Sequence, residues 1–104
     1  MTAFPELPPP LAGHAWAPNI IQAHRVLSDV HRHAVHASRQ GAADSMRLRF
    51  HREAIITDCI PLLIALETHA EEEDLPTLWI SQCAESLGTM VAYLQKSEES
   101  LQNL

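Results

Sequence analysis

Residues 46–70 read MRLRFHREAIITDCIPLLIALETHA, and the assignment of this stretch decides the fold. At 100° per residue, Leu48, Ile55, Ile56, Cys59, Leu62, Leu63, Leu66 and Ala70 fall on one side of a helix. Strict alternation, the mark of a half-buried strand, is missing. Pro61 interrupts the pattern, because it removes a backbone donor and crowds the turn before it. The apolar period nevertheless continues in phase across the proline. The stretch is therefore predicted as one kinked helix rather than two shorter ones broken near Ile60. Its opposite side is not polar either. Met46, Phe50, Ile60 and Ile64 align there, which leaves only Arg47, His51, Asp58 and His69 as a narrow stripe suited to water.

Working outward, Gly41-Ala42-Ala43 is a short connection, with Asp44 or Ser45 as N-cap of the middle helix. A first helix is predicted from about Pro18 to Gln40, with proline in its first turn and Gly41 as its stop. Ile20, Ala23, Leu27, Val30, Ala34 and Ala37 share its apolar face, and His24 and His31 fall inside the same sector. Arg25, Arg32 and Arg39 recur every seven residues along one flank. Downstream, the acidic run 71–74 would oppose the dipole at the end of the second helix and suits the start of a third. Asp74 is the expected N-cap there, with Pro76 in the first turn. Trp79, Ile80, Cys83, Leu87, Met90, Val91, Leu94 and Leu101 form the apolar side, opposite Ser81, Glu85, Gly88, Thr89 and Lys96. Residues 97–104 keep the helical pattern but have no C-cap, so fraying is expected. Such an ending also suits a domain that continues into a longer protein.

Five of the seven prolines lie in the first 18 residues, which makes residues 1–17 an extended, polyproline-like arm. Phe4, Leu7, Leu11 and Trp16 supply it with apolar teeth, either to strap the helices or to engage a partner. Pro5-Glu6-Leu7-Pro8 has the spacing of an SH3 ligand but no basic neighbour. The expected architecture is all-α: an antiparallel three-helix bundle over residues 18–104 with an extended Pro-rich N-terminal arm.

Charge is split along the chain. Residues 24–52 hold all six arginines against Asp29 and Asp44, a balance of +4, whereas residues 53–104 set Lys96 against ten carboxylates. The whole chain of 104 residues carries −6, which disfavours a general nucleic-acid binder. The simplest use of the split is internal, with arginines of the first two helices meeting carboxylates of the third. No apolar run approaches the roughly 18–20 residues of a membrane span, and no basic, apolar leader opens the chain. An intracellular location, cytoplasmic or nuclear, is the expectation, with Cys59 and Cys83 as small core residues.

No catalytic constellation emerges. His33 and His36 are close enough to share a metal but have no reinforcing carboxylate or cysteine nearby, and a structural site normally needs four ligands. His24 and His31 lie about 10.5 Å apart along one helix, too far to chelate one ion. Glu-x-x-His pairs of the di-iron type are absent. Cys59 faces the apolar side, away from any base. No enzyme activity, cofactor or metal is expected. The predicted function is a non-catalytic protein–protein interaction or oligomerisation domain, through self-association or capture of a helical partner, with a homo-oligomer expected. Met46, Phe50, Ile60 and Ile64 would provide apolar contact, while Arg25, Arg32 and Arg39 would set orientation. The alternatives are a histidine-assisted metal or cofactor module, and nucleic-acid contact through the arginine flank. The last is disfavoured because lysines and interleaved aromatic residues are lacking.

Overall fold

The computed structural model describes residues 4–7, 17–39, 45–72 and 75–102, and outside the short extended segment 4–7 they are almost wholly helical. Helix α1 spans Ala17–Arg39. Helix α2, Ser45–Ala54, passes without a break into a π-helical turn, Ile55–Cys59, and then into α3, Ile60–His69. These three pieces form one continuous middle rod. Helix α4, Thr77–Gln102, is the third. The bundle is elongated, 53 Å by 21 Å by 17 Å. Arg49 and Arg52 at the start of the rod bond to Glu98 near the end of α4, so these two elements run antiparallel. His24 lies beside Trp79, which sets the beginning of α1 beside the beginning of α4.

Helix α1 forms as its spacing requires. Ile20, Ala23, Leu27, Ala34 and Ala37 are buried, and Val30 is half-buried against the same core. In α4, Trp79, Ile80, Cys83, Leu87, Met90 and Leu94 are buried, with Val91 and Leu101 packed at the edge. Burial of these side chains, each worth about 1.5–3 kcal/mol when complete, is the main stabilising contribution. The α3–α4 connection is tied by backbone bonds: the Leu75 N–H donates to the Ala70 carbonyl at 3.0 Å, and the Ile80 N–H to the Pro76 carbonyl at 3.1 Å. Pro76 thus supplies the first acceptor of α4 from just outside the helix. The expected caps at Asp44 and Asp74 and the stop at Gly41 lie outside the described residues.

Residues 97–102 are helical: α4 continues to Gln102, and Glu98 is buried within it. Two expectations are corrected. In the middle rod the irregularity takes the form of the π turn, whose closing bond runs from the Ile60 N–H to the Ile55 carbonyl. One extra residue in a turn sets everything after it back by about 100°. Ile60, expected on the outer side, is accordingly half-buried against the core, whereas Ile56, expected inside, is exposed. The turn also places Pro61 in the first turn of α3, where a missing N–H does least harm.

Candidate functional site

The basic end of the bundle is built around one carboxylate. Arg49 donates from Nε to Glu98 Oε1 at 2.9 Å, and Arg52 donates from Nε and Nη2 to Glu98 Oε2 at 3.2 and 3.1 Å. Burial of Glu98 works to raise its pKa, but the bonds and positive charge of the two arginines more than offset this and leave it below the ordinary carboxylate value. The expected pairing of arginines of the first two helices with third-helix carboxylates is therefore met by the middle rod, through Arg49 and Arg52, while Arg32 of α1 pairs within its own helix. Glu98 itself was not singled out, although Leu94, Glu98 and Leu101 follow the same apolar spacing. Of the arginine flank on α1, Arg25 and Arg39 are exposed, and Arg32 donates to Asp29 across one turn at 2.9 Å.

The histidines separate into two settings. His31 is buried at 6 % exposure, with the Phe4 ring 5.2 Å away, and its pKa is lowered by desolvation. His24 is half-buried between Phe4 at 6.1 Å and Trp79 at 6.3 Å. The extended segment 4–7 thus lies over α1 and α4, with Phe4 and Leu7 packed on the core. Pro5 borders a cavity of about 650 Å³ beside His31, which is also lined by Glu85, Met90 and Tyr93. The Trp79 indole N–H is buried and finds no acceptor among the described residues. At the α1–α2 contact, burial and then the nearby charges of Arg47 and His33 hold the pKa of His51 down.

The two cysteine thiols are held in the protonated form. Burial pushes the Cys59 thiol up to about 11, with Asp58 adding to the effect, and pushes Cys83 up to about 12. Both are far from the thiolate form that nucleophilic attack needs. Among the described residues no group of three histidine, cysteine or acidic side chains is placed to hold a metal ion, and no helix is long and apolar enough to cross a membrane.

The remaining feature is apolar surface on the middle rod. Met46 is 76 % exposed, Phe50 68 %, Ile64 57 % and Ile56 45 %. Because of the π turn these residues do not form the single stripe expected from Met46, Phe50, Ile60 and Ile64. Met46 and Phe50 lie in α2, one turn apart, with the Phe50 ring edge-on to His51 at 5.4 Å. Ile56, Ile60 and Ile64 make a second row that continues from Arg52 at four-residue steps. That spacing was legible in the sequence; what concealed the row was the assumption of uniform α-helical rotation through Pro61. No family model matches this chain, and none of the curated proteins or solved structures compared with it matches either.

Proposed function

We propose that the chain is a non-catalytic helical interaction module that associates with another helix-bearing surface through the outer side of its middle rod. One observation carries this reading: Phe50 and Ile64 remain mostly in water although the bundle already has a complete core. Within the described residues 4–7 the apolar side chains do not relieve them, since Phe4 and Leu7 pack on the core, Phe4 beside His24 and His31. Large aromatic and aliphatic side chains gathered on one element are what docking surfaces need at their centre. Arg25 and Arg39, exposed on α1, would add salt-sensitive steering of an acidic partner surface. Arg32 contributes less to that role because Asp29 already balances it. Ile60 supports the surface from below rather than forming it.

The test is sedimentation of the full chain over a wide concentration range, beside the double variant Phe50→Ser, Ile64→Ser. The wild type is expected to gain mass with concentration. The variant should stay monomeric with an unchanged helical circular-dichroism spectrum. A wild type that remains monomeric into the high-micromolar range overturns self-association through this surface.

A further inference from the structure

We propose that the cleft between the extended segment 4–7, α1 and α4 is a binding site for a small organic cation with a flat aromatic body. The charged group sits at Glu85, and the ring rests against Met90 and Tyr93. The site is separate from the docking surface above, since no residue of the middle rod lines it. The register of α4 builds it. Gln82, Ser86 and Met90 form one four-residue row along that helix, and Glu85, Thr89 and Tyr93 form the row beside it. Each row covers about 12 Å of helix. His31 of α1 and Pro5 line the cleft opposite these rows, and Pro5 adds an apolar wall without a backbone donor. The volume, about 650 Å³, falls within the range of roughly 300–1,000 Å³ found for small-molecule sites.

Burial divides the lining into a floor and a rim. Met90 and His31 are buried, at 2 % and 6 % exposure, whereas Gln82, Glu85, Thr89 and Tyr93 are exposed. The floor keeps polar capacity to satisfy. Neither ring nitrogen of His31 is hydrogen-bonded to a described residue, although the side chain is more than nine-tenths buried. Leaving such a group unmatched costs stability, so the imidazole is an anchor for one donor or acceptor of a ligand. Met90, on the same floor, offers a thioether that favours contact with an aromatic ring. Tyr93 adds a ring at the rim that can stack on the ligand or meet it edge-on.

Charge selects the sign of the ligand. Glu85 is the only carboxylate among the lining residues, and no lysine or arginine lines the cleft. Among the described residues no basic side chain forms an ion pair with Glu85. His31 does not oppose a cation, because burial lowers its pKa and keeps the imidazole neutral near pH 7. The net charge of the chain, −6, favours the same sign of ligand at longer range. An anion of equal size meets Glu85 with no compensating positive charge in the lining.

The test is NMR titration of the full chain with two indoles of opposite charge, tryptamine and indole-3-propionate. Tryptamine should give saturable shifts centred on the signals of His31, Ser86 and Tyr93. It should bind roughly tenfold more tightly than indole-3-propionate, through attraction in one case and repulsion in the other. Glu85→Gln, on the exposed rim, should bring the two dissociation constants within about twofold of each other without altering helicity. Ser86→Phe, which places a ring in the cleft, should abolish binding of both indoles while the helical circular-dichroism spectrum is retained. Three results would overturn the site: no saturable shift with tryptamine up to about 10 mM, shifts centred on Met46 and Phe50 instead, or binding that survives Ser86→Phe. Equal affinity for the two indoles in the wild type would overturn the assignment of a cation.

Discussion

Two apolar surfaces of this bundle meet opposite fates. On the α1–α4 side, Phe4 covers His31, and Leu7 packs against the same core. On the outer side of the middle rod, Phe50 and Ile64 stand in water. The difference shows that the proline-rich segment, where it is described, seals the bundle itself and is not a cover for the rod. Side chains of similar apolarity thus meet different surroundings, a packed core in one place and solvent in the other. Substitution can separate the two.

The largest contrast should come from truncating one residue of each kind. Leu87 has no exposed surface and lies in the centre of the core. Leu87→Ala should cost about 2–5 kcal/mol of unfolding free energy, read from urea midpoints. Phe50→Ala, measured at concentrations where the chain is monomeric, should stay within about 0.5 kcal/mol of wild type. A large loss for Phe50→Ala would mean that its ring supports the protomer, and the contrast between the two surfaces would fail.

Deleting residues 1–7 probes the sealed side. Half-burial of Phe4 and Leu7 should contribute about 1–2 kcal/mol after ordering costs. The deletion should also be seen at His31, whose pKa is depressed by burial. In the intact chain the folded state resists protonation while the unfolded state protonates near pH 6.5. The His31 contribution to stability is therefore full above that value and is lost as pH falls through the folded pKa. Removing the cover should move the His31 titration, followed by NMR, up toward the ordinary value and shrink this pH dependence. A titration unmoved by the deletion would show that α1 and α4 alone bury the ring.

The same contrast explains what could be read in advance. Three helices, their core faces and the inward placement of His24 and His31 follow from apolar spacing alone, because one buried stripe per helix is what a small bundle needs. The π turn does not follow from it. Ile55 and Ile56 are equally apolar neighbours, and periodicity cannot tell which of the two turns inward when an extra residue is accommodated before Pro61. The exchange of Ile56 for Ile60 on the surface, and with it the shape of the candidate site, depended on that one turn. Glu98 was concealed for another reason. Sequence periodicity marks its position as core, but a carboxylate is tolerated there only because Arg49 and Arg52 arrive from another element.

The smallest effects separate two ion pairs of different surroundings. Glu98 is 4 % exposed and held by two arginines, whereas Asp29 and Arg32 are largely in water. Since the arginines lower the pKa of Glu98, its contribution is present above the unfolded glutamate pKa and disappears as pH falls through the folded one. The difference in urea midpoint between wild type and Glu98→Gln should thus be widest near neutrality and close in acid. A gap that stayed constant with pH would assign the role of Glu98 to packing instead of charge. For Arg32→Ala the expected change is within about 0.5 kcal/mol at any pH, because solvent screens the pair and holding two long side chains together costs entropy. If Arg32→Ala were as damaging as Glu98→Gln, burial would not be what distinguishes the clamp at the basic end from the pair on α1.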